Sequence, residues 1–379
     1  MKKDVSQKAL ALHKKLGGKI RIDGAVPIKN RADLSLVYTP GVAAVSNHLA
    51  KHPEEAREYT IKGRTVAIVS DGSAVLGLGD IGPLGALPVM EGKAMLFKQF
   101  GGIEAVPIVL DVHTVDEVVM VVKAIAPSFG GINLEDIAAP KCFAIEERLM
   151  SELDIPVMHD DQHGTAIVVL AALINALRVV KKRMETVKVV ISGAGAAGAA
   201  VAKLLHLAGV RDILVLDSKG IIGAHRTDLT QHKRELAGFS NRENVKGGLR
   251  EALAGADVLV GVSGPGLARA DDIRVMAPKA IVFALANPTP EIMPDEAKRG
   301  GAYVVGTGRS DFPNQINNSL AFPGIFAGAL KNRVSKITDA HKLAAARAIA
   351  GLVKNPAPER IVPDMFDTRV ARAVAKVIR

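Results

Sequence analysis

Short hydrophobic runs alternate with amphipathic stretches along most of the chain, and this alternation predicts an α/β fold. In the first half, the runs "RTVAIVSDGS" and "IEAVPIVLD" are rich in β-branched residues and predict buried parallel strands. Between them, "PVMEGKAMLFKQFGG" has the spacing of an apolar helix face and ends in two glycines. Strand, helix and strand in this order imply a parallel sheet.

The second half repeats this pattern more regularly. The strand "VKVVISG" and the helix "AAGAAVAKLLHLAG" precede the strand "DILVLDS", and the later strands are "ADVLVGVSG", "AIVFALANP" and "AYVVGTG". This order predicts a doubly wound parallel sheet of the Rossmann type. We therefore expect a catalytic and substrate domain at 1–159, an NAD(P)-binding Rossmann domain at 160–316, and a helical C-terminal segment at 317–379 that packs back on the catalytic domain.

Composition narrows the class of protein. The 379 residues are 48% hydrophobic and 23% charged, as in a globular protein of two domains. The net charge is +10, but the basic residues are dispersed and aromatics make up only 3%, so no nucleic-acid partner is predicted. With one cysteine, Cys142, no intrachain disulfide can form. The sequence shows neither a signal peptide nor an apolar run approaching ~20 residues, which predicts a cytoplasmic protein without a membrane partner.

A dinucleotide-binding motif begins the second sheet. Gly193, Gly195 and Gly198 have G-x-G-x-x-G spacing, and Ala196 and Ala197 stand between the last two glycines. The motif leaves a predicted strand and opens a predicted helix, as the binding mechanism requires. The first glycine permits a tight turn, the second lets the backbone approach a pyrophosphate, and the third allows the helix to pack on the strand.

The end of the next predicted strand bears on the choice of cofactor. Asp217 is placed to accept hydrogen bonds from the adenine ribose, and its charge would repel a ribose 2′-phosphate. NAD is therefore favoured over NADP. Ser218 and Lys219 follow directly and could receive a phosphate, so NADP stays an alternative.

Two acidic pairs in the first half suggest a metal site. Glu135 and Asp136 stand in "GINLEDIAAP", and Asp160 and Asp161 stand in "VMHDDQHGTA". Carboxylates gathered at one sheet edge form a hard oxygen site suited to Mg²⁺ or Mn²⁺. The alternative for each pair is a solvated turn or a helix cap, and Asp160 could cap a helix that starts near Gly164.

Three further side-chain types in the first half of the chain are chemically suggestive. His159 and His163 are four positions apart and could hold zinc on a helix, but their stretch precedes the predicted helix. Tyr38 stands in a loop, where it could be a proton donor or pack its hydroxyl on the backbone. Lys93 stands on an apolar helix, where it could be catalytic or extend to the surface.

Several long blocks of the chain resemble the malic enzymes, in particular their short prokaryotic form. These blocks are "SLVYTPGVA", "SDGSAVLGLGDIGPLGALPVMEGKAMLFKQFGGI", "NLEDIAAPKCF", "PVMHDDQHGTA", "VISGAGAAG", "ALANPTPEI" and "NNSLAFPG". They span about residues 35 to 325 in the family's order. The resemblance implies oxidative decarboxylation of (S)-malate to pyruvate and CO₂ with reduction of NAD(P), together with decarboxylation of oxaloacetate.

The resemblance also assigns roles to individual residues. Tyr38 matches the family's general acid and Lys93 its general base, with a pKa that burial and a nearby cation would lower. The family's divalent-metal ligands match Glu135, Asp136 and Asp161, and the supporting and substrate-binding positions match Asp160, Gly77, Gly79, Asn287, Asn317 and Asn318. Asn287 also borders the expected cofactor site. Ala74 stands where larger relatives have an arginine that binds a substrate carboxylate, so backbone amides or asparagines would have to replace it.

Two other functions compete with this interpretation. One is a metal-dependent decarboxylase in which the nucleotide does not turn over, and the other is a nucleotide-sensing module without catalysis. Retention of Tyr38, Lys93 and the acidic positions speaks against a sensor, because a sensor needs no acid, base and metal together. A homodimer or higher homo-oligomer is expected from the resemblance.

Overall fold

Two parallel β-sheets organise the chain, as the alternating pattern predicts. The structure, a computed structural model, describes residues 2–75 and 77–379, with side chains from residue 5 onwards. The strands are β1 Thr65–Ser70, β2 Glu104–Val109, β3 Gly131–Leu134, β4 Val157–His159, β5 Lys188–Ser192, β6 Asp212–Asp217, β7 Gly220–Ile221, β8 Val258–Gly261, β9 Ile281–Ala284 and β10 Val304–Thr307.

Helices surround both sheets. They are α1 Lys2–Leu16, α2 Arg31–Val37, α3 Val42–Lys51, α4 Ala56–Tyr59, α5 Gly82–Leu96, α6 Val115–Ile125, α7 Lys141–Glu152, α8 Asp160–Val180, α9 Ala196–Leu207, α10 Gln231–Phe239, α11 Leu249–Leu253, α12 Ala270–Ile273, α13 Pro294–Arg299, α14 Phe322–Lys331, α15 Asp339–Gly351 and α16 Arg369–Val377. A π turn over Phe97–Gly101 continues α5.

The first sheet has the order β2-β1-β3-β4, and all its strands are parallel. Every residue of β1, β3 and β4 is buried, which is why these strands read as continuous apolar runs. Because the strands are parallel, their carboxyl ends meet at one edge of the sheet. Residues that follow β1, β3 and β4 therefore come together there.

The second sheet has the order β10-β9-β8-β5-β6-β7, in which β7 alone pairs in the antiparallel sense. The chain reverses its direction of winding between β5 and β8, so the loop after β5 lies at the switch point where doubly wound folds bind nucleotides. The prediction of a Rossmann-type sheet is confirmed.

Helix α8 connects the two sheets. It packs extensively on α9 and α15, and most of its residues are buried. By length and composition α8 could span a membrane, so the statement that no run approaches such a length is wrong. However, 72% of its most apolar window is buried inside the protein, as expected of a core helix.

The chain before β1 forms an extended arm. Helices α1 to α4 belong to it, and no residue between 5 and 64 is buried. More than half of the large hydrophobic residues that the described chain exposes lie in this arm, including Ile22, Leu36 and Tyr38. The arm contacts the rest of the chain through hydrogen bonds that include those from the Lys19 amide to Glu91 and from Lys19 Nζ to the Pro88 carbonyl.

Candidate active site

Acidic residues gather at the carboxyl edge of the first sheet. Glu135 and Asp136 directly follow β3, and Asp160 and Asp161 directly follow β4, its neighbour. Oxygens of Glu135, Asp136 and Asp161 lie within 4.8 Å of one another. The Asp136 amide donates a hydrogen bond to Asp161 Oδ2 at 2.8 Å, which ties the two loops together.

This cluster has the chemistry of a divalent-cation site. Burial raises the pKa of Glu135 to about 7, although the Lys93 ammonium opposes the rise, and burial also raises the pKa of Asp161. Glu135 and Asp136 are buried and Asp161 is partly buried, so three carboxylates lie close together in a region of low exposure, and a hard cation would offset their mutual repulsion. The donor set therefore fits Mg²⁺ or Mn²⁺.

Lys93 stands on α5 with its ammonium group directly beside the cluster. It forms ion pairs with Glu135 Oε1 and Asp160 Oδ2, and its Nζ lies 4.5 Å from the centre of the Phe322 ring. Burial alone would lower the pKa of Lys93, but the carboxylates of Asp160 and Glu135 raise it above its usual range. The expected lowering of this pKa is therefore wrong for the chain without a bound cation.

Asp160 does not cap a helix that starts near Gly164. Helix α8 begins at Asp160 itself, and His159 is its N-cap residue. A Cβ atom on Gly164 would lie 1.8 Å from Asp160 Oδ1 and 3.0 Å from the Cβ of Asn318, so the absent side chain makes room for both. Asp160 is fully buried, and burial raises its pKa to about 6 against the opposing effect of Lys93.

The two histidines are held by a buried carboxylate that the sequence analysis missed. Glu146 on α7 accepts hydrogen bonds from the His159 amide at 2.7 Å, from Gln162 Nε2 at 3.1 Å and from His163 Nε2 at 2.9 Å. Burial would raise the pKa of Glu146, but His163 and His159 lower it to about 2. Among the described residues neither histidine joins a metal-type cluster.

The glycine motif forms the loop between β5 and α9, as predicted. Gly193 has a φ of +119°, and its amide donates to the Leu216 carbonyl of β6 at 2.9 Å. A Cβ on Gly198 would lie 1.8 Å from the Gly193 carbonyl oxygen, whereas one on Gly195 would meet no atom within 4 Å. Open space over Gly195, at the N-terminus of a helix, is a suitable cradle for a pyrophosphate.

The same loop lies where the two sheets meet. Ala196 begins α9 and packs against the hydrophobic core of the first sheet, and Ala197 follows in the first turn. On the other side, a Cβ on Gly77 would lie 2.1 Å from the Asn287 carbonyl oxygen. Gly77 and Gly79 both have positive φ, and Asn287 follows β9. These contacts place the start of α9 against the first sheet's core and the Gly77 loop against the residues that follow β9.

The predicted substrate-binding residues differ in their surroundings. Asn317 Oδ1 accepts a hydrogen bond from the Ser319 amide at 3.0 Å and so caps the turn Asn318–Leu320. Asn318 lies beside Asp160, and its role in malate binding stays a prediction, as does that of Asn317. The Ala74 amide donates to the Asp136 carbonyl at 3.0 Å, so it is not available to a substrate carboxylate.

Asp217 ends β6, next to the glycine loop, but its carboxylate already has partners. Arg226 Nη1 and Lys233 Nζ each lie 2.6 Å from it, and the Lys219 amide donates to Oδ1 at 2.9 Å. Burial would raise the pKa of Asp217, but the bonds from Arg226 and Lys233 lower it to about 2. Neither basic residue is suggested by sequence spacing.

Tyr38 is not brought into this site by its own chain. It follows α2 in the arm and is 65% exposed. In the described chain no hydrogen bond joins its hydroxyl to Lys93 or to the acidic cluster. The described residues of one chain therefore show no contact between Tyr38 and Lys93, and the role of Tyr38 as general acid stays a prediction.

The fold and the site together define a dinucleotide-binding enzyme with an acidic centre between two α/β domains. Family models match both parts of the chain: "Malic enzyme, N-terminal domain" over residues 17–150 and "Malic enzyme, NAD binding domain" over residues 162–379. The chain belongs to the malic enzymes, and the resemblance seen in the sequence is confirmed.

Relatives and solved structures agree with this assignment. The chain is 53% identical to an NAD-dependent malic enzyme of Geobacillus stearothermophilus, over 99% of this chain and 78% of that one. It is also 53% identical to a bifunctional malic/malolactic enzyme of Bacillus subtilis, over 98% and 92%. The crystal structure of an NAD-dependent malic enzyme from Thermotoga maritima superposes with a TM-score of 0.95 at 51% identity and covers 98% of both chains.

Proposed function

We propose that the protein oxidatively decarboxylates malate to pyruvate and CO₂, with reduction of NAD(P), and also decarboxylates oxaloacetate. The buried ammonium of Lys93, paired with Glu135 and Asp160 beside a three-carboxylate cluster, carries this proposal. It puts a proton-transfer group next to a cation site, as this reaction requires. The glycine cradle lies at the same junction of the two sheets.

In this proposal Glu135, Asp136 and Asp161 hold Mg²⁺ or Mn²⁺. When bound, the ion would orient the substrate's oxygens and draw electron density from the carbonyl as CO₂ leaves, while the nicotinamide accepts the hydride. The charge of the bound cation would lower the pKa of Lys93 and favour its neutral amine, which takes the proton of the C2 hydroxyl. Asp160 accepts a hydrogen bond from Lys93 and so orients this amine.

The proposed general acid, Tyr38, comes from a second copy of the chain. Its own arm leaves it exposed, and the arm displays apolar side chains along α1 to α4 without burying any residue. Exposed apolar surface on this scale is typical of an interface. We infer a homodimer in which the arm of one subunit places Tyr38 at the Lys93 of the other.

NAD is the preferred cofactor in this proposal, because the negative charge of Asp217 disfavours a ribose 2′-phosphate. Turnover measured at equal NAD and NADP concentrations tests this directly. A cytoplasmic location stays a prediction from the single cysteine.

Malate-dependent formation of NAD(P)H, followed at 340 nm with and without a chelator, tests the reaction itself. Absorbance that rises only with malate, dinucleotide and divalent cation together supports the proposal. Release of CO₂ without any change in absorbance would favour a decarboxylase that does not turn over its nucleotide. Nucleotide binding with neither product would favour a sensor.

Mixing two inactive variants tests the shared site. Tyr38→Phe removes the proposed acid and Lys93→Met removes the proposed base. If each subunit supplies Tyr38 to its partner, heterodimers keep one intact site, and the mixture should recover up to about a quarter of native activity by random reassortment. A mixture as inactive as its two components would contradict the exchange of arms.

A further inference from the structure

Side chains of the kind that bind metal ions gather in the arm, at the end of α3. His48 stands in the last turn of this helix, and His52 is the residue that ends it. Glu54 and Glu55 follow in a 3-10 turn. One nitrogen of His52 and one carboxylate oxygen each of Glu54 and Glu55 lie within 4.8 Å of one another. Among the described residues, this is the one such group besides the acidic cluster of the first sheet.

Contacts between these side chains bring four donor atoms close together. His48 Nε2 lies 2.7 Å from Glu55 Oε2, and His52 Nδ1 lies 3.5 Å from Glu54 Oε1. The imidazole rings of His48 and His52 have their centres 4.8 Å apart, and the ring of Tyr59 packs on His48 at 5.1 Å. Donors around a tetrahedral Zn²⁺ are roughly 3.3 Å from one another, because each lies ~2.0–2.2 Å from the ion. The four donor atoms are therefore already near the spacing that one ion needs.

The local sequence explains why these side chains meet. Residues four positions apart on an α-helix lie on the same face, and the His52 amide donates to the His48 carbonyl at 2.9 Å, so the helical turn continues as far as His52. Pro53 then begins the tight turn, in which the Glu55 amide donates to the His52 carbonyl at 3.1 Å. This turn brings Glu55 back beside His48. The stretch "HLAKHPEE" thus forms the cluster by itself, without partners from elsewhere in the chain.

The donor set differs in chemistry from the acidic cluster. Imidazole nitrogens are ligands for Zn²⁺ and its neighbours in the first transition row, whereas Mg²⁺ prefers oxygen alone. The hydrogen bond from His48 lowers the pKa of Glu55 below its usual range, so this carboxylate is ionised at neutral pH. The side chains of His48 and His52 are 38% and 49% exposed, so an ion can reach them from solution.

We propose a second metal site, for a divalent transition ion of the Zn²⁺ type, formed by His48, His52, Glu54 and Glu55. The ion joins the end of α3 to the turn that follows it. Such a link matters in this arm, because no residue between 5 and 64 is buried and metal ligands can supply the stability that packing does not. The site is independent of the proposed reaction.

Calorimetric titration of Zn²⁺ into chelator-treated protein tests the proposal. Excess Mg²⁺ occupies the acidic cluster, and any Zn²⁺ that displaces it there binds native and variant chains alike. We expect the native chain to bind one Zn²⁺ more than the double variant His48→Gln/His52→Gln. The matched control, His13→Gln/His113→Gln, removes the same number of imidazoles from α1 and from the loop after β2, and should bind as much Zn²⁺ as the native chain.

Co²⁺ is a second probe that reports on the ligands themselves. Four-coordinate Co²⁺ absorbs visible light far more strongly than Co²⁺ surrounded by six oxygens. The strong absorption should therefore appear in the native chain and be lost in His48→Gln/His52→Gln. Glu55→Gln keeps both imidazoles and should weaken the binding of Zn²⁺, since a neutral amide replaces an ionised ligand.

Two results would overturn the proposal. One is a native chain that binds no more Zn²⁺ than His48→Gln/His52→Gln, and the other is an equal loss in the control His13→Gln/His113→Gln. The substituted side chains of the site are exposed or half-exposed, so the variants should keep the native circular dichroism spectrum and urea midpoint. Malate-dependent reduction of NAD(P) in excess Mg²⁺ is measured alongside, and its absence in the native chain would refute the proposed function without affecting this site.

Discussion

Replacing Glu146 with glutamine should destabilise the region behind the acidic cluster. Glu146 is 6% exposed and accepts three hydrogen bonds, among them 2.7 Å from the His159 amide. The fall of its pKa from 4.5 to about 2 corresponds to about 3 kcal/mol in favour of the ionised side chain in the folded protein. A neutral glutamine loses most of this, and its amide group turns a donor toward the other donors.

The pH dependence of this effect has a defined sign. A carboxyl group with a lowered pKa stabilises the fold fully above its ordinary value of 4.5, and this contribution is lost as the pH falls toward 2. The difference in unfolding free energy between the native chain and Glu146→Gln should therefore shrink from about 3 kcal/mol at pH 6 to about 1 kcal/mol at pH 3.

Urea unfolding followed by circular dichroism measures this difference at each pH. The matched control is Glu147→Gln, the same change at the next position of α7, where the side chain is exposed. Equal effects of the two substitutions at pH 6, or a difference that does not change with pH, would refute the reasoning. Because Glu146 anchors the start of α8, Glu146→Gln should also weaken Mn²⁺ binding.

Five further substitutions test the site. Lys93→Met should abolish malate oxidation while dinucleotide binding, measured by fluorescence titration, stays near native; substantial turnover would rule out a general base here. Asp160 neighbours the proposed ligands, so Asp160→Asn should weaken Mn²⁺ binding by ~10- to 100-fold, as measured by electron paramagnetic resonance. Asp161→Asn removes a proposed ligand and should weaken Mn²⁺ binding by more. Equal losses in the two variants would reject Asp161 as the ligand. Gly198→Ala should lower the urea midpoint, because its Cβ would lie 1.8 Å from a backbone carbonyl oxygen. Gly195→Ala, with open space around its Cβ, should keep the midpoint and weaken dinucleotide binding. Equal urea midpoints for the two variants would contradict this packing.

The two sheets could be predicted from sequence because their signals are local. A buried parallel strand must be apolar on both faces, so "RTVAIVSDGS" and "VKVVISG" stand out as the strands β1 and β5. The glycine motif is also local, since three glycines within six residues decide the turn and the helix packing. Each of these features depends on residues that are neighbours in the chain.

Helix α8 begins four residues before the start that the sequence predicts, because its first turn is polar. The letters "HDDQH" predict a loop, and the predicted helix therefore begins near Gly164. In the structure the polar groups of this turn have partners that are distant in the sequence. Asp160 pairs with Lys93, which is 67 positions away, and the His159 amide donates a hydrogen bond to Glu146. Long-range partners of this kind leave no trace in spacing or periodicity.

The position of Tyr38 illustrates a different limit. Its neighbourhood in the sequence marks it as chemically suggestive, but chemistry alone does not say which copy of the chain it serves. The arm that carries it buries none of its residues, so burial in its own chain does not mark Tyr38 as part of a site. Arg226 and Lys233 lie 9 and 16 positions after Asp217, and only the fold brings them to its carboxylate.

The two adjacent aspartates act on different partners because they lie on a helix. Successive residues of an α-helix point roughly 100° apart. At the start of α8, this rotation turns Asp160 toward Lys93 on α5 and Asp161 toward the Asp136 amide after β3. A single helix start therefore positions both the proposed base and the cation cluster. Glu146 accepts a hydrogen bond from the amide of His159, the residue before the helix, and so helps to fix the helix start on which both contacts depend.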